Sequence, residues 1–73
     1  MTDIYDARIE NIEKEQEAND EAYDKEIERI ESLEENGAIS TEEAEARKRD
    51  AKKKTAAKNE ELEKKKAALQ EKQ

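Results

Sequence analysis

Cysteine, proline, histidine, tryptophan and phenylalanine are all missing from this chain of 73 residues, and glycine occurs once, at Gly37. The lack of cysteine excludes disulfides and thiolate metal sites and is compatible with any redox compartment. With no proline and a single glycine, the chain has only one place where a helix is punctuated. Apolar side chains of any size are scarce: six Ile, three Leu and two Tyr, beside eleven Ala that bury little surface. Such a chain cannot build a wide core, so a marginal monomer or an oligomer is expected. No apolar run approaches the roughly 20 residues of a membrane span, and no stretch has the form of a signal peptide.

What is present is charge. Asp, Glu, Lys and Arg make up 51% of the residues, with a net charge of −7. A composition dominated by Ala, Glu, Lys, Leu and Arg belongs to coiled coils and long helices, although disordered segments share much of it. Spacing favours helix. Tyr5, Ile9, Ile12, Gln16, Asn19, Tyr23, Glu26, Ile30 and Leu33 follow alternating steps of four and three, a heptad seam with Ile27 beside it and a polar middle. Beyond Gly37, the residues Ala44, Lys48, Ala51, Thr55, Lys58, Leu62, Lys65 and Leu69 continue the same stepping.

Between the two seams lies Glu35-Asn36-Gly37-Ala38-Ile39-Ser40-Thr41-Glu42-Glu43. Gly37 suits the left-handed residue that closes a helix, and Ser40 with Glu43 three residues later forms a capping box that opens another. The expected architecture is all-α: one domain over residues 1–73, with a first helix of about 2–36, a turn at 37–40 and a second helix of about 41–71. Folded back at Gly37, the chain becomes an antiparallel hairpin in which Ile30 and Leu33 meet Ala44 and Ala51 near the turn. Tyr23 then falls near Ala51 and Thr55, and Tyr5, Ile9 and Ile12 approach Leu62 and Leu69 at the far end. That end, where both helices offer larger side chains, is expected to be the better packed half or an oligomer contact. A straight helix through the turn would cost about 1 kcal/mol at Gly37 and waste the cap.

Charge divides at the turn. Residues 1–36 carry fourteen acidic against four basic side chains, a net of −10, and residues 37–73 carry eight against eleven, a net of +3. An acidic rod beside a mildly basic one favours the hairpin over two first helices meeting each other. Glu10 with Lys14, Glu21 with Lys25, Glu60 with Lys64 and Glu61 with Lys65 have the i,i+4 spacing and orientation that support a helix locally.

Signs of chemistry are few. A two-helix rod offers no enclosed pocket for a reacting centre, so no enzyme, catalytic residue or cofactor is expected. Carboxylate pairs such as Glu13 with Glu17, or Glu17 with Glu21, have a spacing that divalent ions can use, but di-metal helical bundles add histidine, which this chain lacks, and no metal site is expected. The runs Lys52-Lys53-Lys54 and Lys64-Lys65-Lys66 could attract phosphate. On a helix, however, three consecutive residues point in different directions, and acidic residues flank both runs.

The string from Glu35 through Ser40, Glu42, Glu43 and Ala44 to Arg49, continued by Thr55-Ala56-Ala57-Lys58-Asn59-Glu60-Glu61-Leu62 and on to Gln70, resembles the helical segment of bacteriophage and prophage tail tape measure proteins. The likeness covers most of residues 4–73 and is sharpest from Glu35 onward. In that family the segment precedes a hydrophobic, Ala- and Gly-rich stretch that is not in this sequence, so the resemblance implies a piece of a longer protein. It implies a structural role in tail assembly and length determination, with no catalytic residue to carry over. Partners would be the chain itself or other helical tail proteins, with no small-molecule substrate, nucleic acid or membrane contact by this segment. The location would be the virion tail, or the host bacterial cytoplasm during assembly. The alternative is a small acidic phage-encoded binding protein or inhibitor, a nucleic-acid mimic or adaptor that presents its first helix to a host protein. In either case Gly37, Ser40 and Glu43 shape the turn. The helix-packing residues are Tyr5, Ile9, Ile12, Tyr23, Ile27, Ile30, Leu33, Ala44, Ala51, Leu62 and Leu69.

Overall fold

The computed structural model describes residues 4–72; residues 2 and 3 of the expected first helix lie outside the described residues. Two helices account for nearly all of it: α1, Ile4–Glu35, and α2, Thr41–Glu71. They pack against each other as an antiparallel hairpin, giving a slender body of 55 × 18 × 7 Å. Each helix of 32 or 31 residues is about 47 Å long at the usual rise. The rod is therefore one hairpin long and two helices wide.

The turn follows from its residues. Gly37 adopts φ of +75°, and no other described residue has positive φ. The Gly37 N–H donates to the Glu34 carbonyl at 3.0 Å and the Ala38 N–H donates to the Leu33 carbonyl at 2.9 Å. This is the paired arrangement of a Schellman motif, which satisfies carbonyls that the end of α1 would otherwise leave without partners. Ser40, in extended backbone, then caps α2: its Oγ accepts from the Glu43 N–H at 3.1 Å. The reciprocal half of the expected capping box is replaced. Glu43 Oε1 accepts from Arg47 Nη2 at 2.9 Å, a charge-assisted contact one turn along α2. A further tie crosses the turn, where Thr41 Oγ1 donates to Glu34 Oε2 at 3.0 Å.

The buried seam departs from a strict heptad in one place on each helix. Eight covered positions on each helix form the seam, 9, 12, 16, 19, 23, 27, 30 and 34 in α1 and, read backwards, 69, 66, 62, 59, 55, 51, 48 and 44 in α2; Tyr5 precedes the series, and Leu33 and Ala46 are half-buried beside it. The two series have identical steps, and the doubled step of four falls at 19–23–27 on α1 and at 59–55–51 on α2. Each helix thus changes phase opposite its partner's change, so the layers stay in register from end to end. Ile27 accordingly takes the seam position, and Glu26, placed there by heptad counting, is exposed. Lys58 and Lys65 are exposed for the same reason, Asn59 and Lys66 standing in the seam instead. The physical cause is the mismatch between 3.5- and 3.6-residue periods: an added step of four lets a nearly straight helix keep its stripe facing its partner.

Full burial occurs at two levels of the hairpin, one near the turn and one in its open half. Ile30 is 1% exposed and Ala44 is fully covered, while Leu62 is 7% exposed. Ile30 and Ala44 both lie within a few residues of the turn, where a small residue such as Ala44 permits close helix approach. At the far end Tyr5, Ile9, Ile12 and Leu69 are only half-buried. Of the larger side chains expected to make that end the better packed half or an oligomer contact, Leu62 is buried; two helices leave the flanks of the others uncovered, and a groove remains.

Candidate functional site

Among the described residues, the features that stand out are the seam, a polar cluster at its centre and the groove at the open end. The packing stripe supplies the first. Ile30, Ala44 and Leu62 are buried, and Tyr5, Ile9, Ile12, Tyr23, Ile27, Leu33, Ala51 and Leu69 are half-buried along the same line. Tyr23 lines one shallow groove together with Ala51 and Thr55, a large ring on α1 facing the same space as small residues on α2.

Asn59 organises the central cluster. Its Oδ1 accepts from Asn19 Nδ2 at 3.1 Å, its Nδ2 donates to Asp20 Oδ1 at 3.0 Å, and its backbone carbonyl lies 3.4 Å from Gln16 Nε2. Gln16 Nε2 also donates to Glu63 Oε2 at 2.9 Å. The hydrogen bond from Gln16 holds the Glu63 carboxyl below its ordinary value; desolvation opposes this, and the nearby Lys66 ammonium adds to the lowering. Lys66, half-buried, reaches Glu63 at 3.4 Å and Glu13 across the seam at 3.9 Å. No buried side-chain polar atom among the described residues lacks a partner. A polar layer of this kind adds little net stability but fixes register, because a slip along the seam would separate its partners.

The sequence marks half of this cluster. Gln16 and Asn19 stand out as polar residues within an apolar stripe, whereas Asn59 is hidden by a count that puts Lys58 on the seam. The usable signal was complementarity: two amides on the inward stripe of one helix call for a hydrogen-bonding residue opposite, and Asn59 is the only amide between Asn36 and Gln70.

At the open end, Ile12 and Leu69 with Ala68 form the floor of a groove of about 430 Å³, walled by Arg8, Asn11, Lys65 and Lys72. Its charged wall residues are all cationic, on a molecule whose net charge is −7. Ile4, one helical turn before Arg8, is 61% exposed.

Ion pairs decorate the rod sparsely. Across the helices, Glu31 meets Lys48 at 3.8 Å and Glu13 meets Lys66 at 3.9 Å. Within them, Glu10 meets Lys14 at 3.7 Å and Glu26 meets Arg29 at 3.8 Å. The other i,i+4 pairs read from the sequence, Glu21–Lys25, Glu60–Lys64 and Glu61–Lys65, are not closed, as the entropy of long exposed side chains allows. Lys52, Lys53 and Lys54 point into solvent in different directions, and Lys66 is engaged by two carboxylates, so the lysine runs form no common face. Among the described residues no group of three or more carboxylates is placed to hold a metal ion, and no helix is long and apolar enough to cross a membrane.

No known protein family, curated protein or solved structure matches this chain. The geometry therefore carries the functional argument.

Proposed function

We propose that the chain is a non-enzymatic structural coiled-coil module that acts through length, stiffness and association with other helices. The observation that supports this most directly is the apolar line along a 55 Å rod: closed over Ile30 and Ala44 near the turn, it is left half-open at Ile12 and Leu69. Apolar surface left open beside a cationic rim is what an interacting helix covers. The resemblance of residues 35–70 to the helical segment of tail tape measure proteins makes a phage tail the setting we propose. There the module contributes to tail assembly and length determination, with itself or other helical tail proteins as partners, in the virion tail or in the host cytoplasm during assembly.

Sedimentation equilibrium with far-UV circular dichroism over a concentration series tests the associating role. The expected result is a mass that rises with concentration, and a return to monomer on Leu69→Lys with helicity retained. A single monomer mass at every concentration, with constant helicity, contradicts it. The tail setting has its own test in the gene: coding sequence for a hydrophobic Ala- and Gly-rich stretch after Gln73 supports it, and a stop codon there contradicts it.

A further inference from the structure

The seam runs in phase through the turn. Tyr23, Ile30, Ala44 and Ala51 lie on one ladder spaced by sevens, and the rung missing between Ile30 and Ala44 is Gly37. Ile27, Glu34, Lys48 and Thr55 lie on a second such ladder, whose missing rung is Thr41. If residues 36–40 became helical, the alternation of fours and threes would continue unbroken from Tyr23 to Thr55, with only small side chains, Gly37 and Thr41, added to the stripe.

We infer that the chain has a second, dimeric form, in which each copy straightens through the turn and two copies pair antiparallel along the same seam. Eight layers of the hairpin, from Ile9 with Leu69 to Glu34 with Ala44, have their counterparts in this dimer, because those covered positions of α1 and α2 mirror each other about Ile39. The Asn19–Asn59 hydrogen bond, the Gln16–Glu63 hydrogen bond and the Glu13–Lys66 and Glu31–Lys48 ion pairs would all re-form between copies in place of within one. Only the turn itself differs. The hairpin keeps the left-handed Gly37, the Schellman hydrogen bonds and the Ser40 cap, and covers Ile39 in part. The dimer gives these up for a new Gly37–Thr41 layer on each side of its axis. Exchange of identical elements between copies in this manner is limited chiefly by the hinge, so the balance rests on residues 36–40 and on concentration. The inference stands apart from the tail setting and from association through the open-end groove, in which the hairpins remain folded back.

The test removes what holds the turn. Gly37→Ala makes the left-handed residue unfavourable although nothing lies within 4 Å of the added Cβ, and Ser40→Ala deletes the cap. The double variant is expected to remain helical, to sediment at twice the 8.5 kDa monomer mass, and to show by small-angle scattering a longest dimension nearly double the 55 Å of the hairpin. A second variant inserts two glycines after Gly37, which leaves the hairpin able to close but puts the ladders out of phase; it is expected to form no long dimer even after annealing at millimolar concentration. The wild-type chain annealed in the same way should yield a fraction of the long species. The inference is overturned by a double variant that stays monomeric, folded or not, by a dimer no longer than the hairpin, or by a long dimer from the insertion variant.

Discussion

At the scale of single residues, a few positions carry stability out of proportion to their number. Ile30 is the largest fully buried side chain. Truncation at such a site removes both the transfer free energy and the packing of its neighbours, so Ile30→Ala should cost about 2–5 kcal/mol, enough to unfold a marginal hairpin. The same change at Ile4, 61% exposed, should be nearly neutral. Thermal melts followed by circular dichroism compare the two directly. Glu63 supplies a pH signature. Its folded carboxyl is held low by the Gln16 hydrogen bond and by Lys66, so its contribution is present above the ordinary carboxylate range and disappears as the pH falls through the lowered folded value. The melting difference between wild type and Glu63→Gln should therefore shrink on acidification; a difference independent of pH would contradict the assignment.

At the scale of elements, much was legible because helix signals are local. The single glycine and the Ser40 cap set the ends of α1 and α2 without reference to anything distant, and the apolar spacing marked which face of each helix turns inward. What was hidden depended on the partner helix. Counting by sevens puts Glu26, Lys58 and Lys65 on the seam, and only the matched phase change on the opposite helix moves Ile27, Asn59 and Lys66 there. Glu43 fits a capping box by spacing, but the competing Arg47 guanidinium is the stronger partner for its carboxylate. The polar layer is where stability and register part ways. Asn19→Leu combined with Asn59→Leu should raise the melting temperature, because two amides give way to apolar contact. The same double variant should populate mixed registers and higher oligomers, visible as a broadened mass distribution in sedimentation. A less stable, still monodisperse variant would show that the layer contributes stability and does not fix register.

At the scale of the whole molecule, the protein is a thin rod with one line of burial and a surface of charge. Its acidic first half lies along its basic second half. Among the described residues two ion pairs bridge the helices, Glu31–Lys48 and Glu13–Lys66, and the carboxylate of each is exposed. Charge therefore selects the antiparallel pairing more than it holds it, and apolar contact supplies the cohesion. The same thinness explains why the open-end groove could not be foreseen from large residues alone: two helices leave the flanks of Ile12 and Leu69 uncovered where a third helix would have closed over them.

Everything rests on the reversal of the chain at Gly37. Spin labels at Asp6 and Gln70, measured by pulsed dipolar spectroscopy in a dilute sample where the chain is monomeric, test it most directly. Side-by-side helices about 8–10 Å apart predict a narrow distribution at short distance, with the two labels neighbours at the open end. A distribution centred on about 95 Å, the span of 64 residues in one straight helix at 1.5 Å each, would contradict the hairpin.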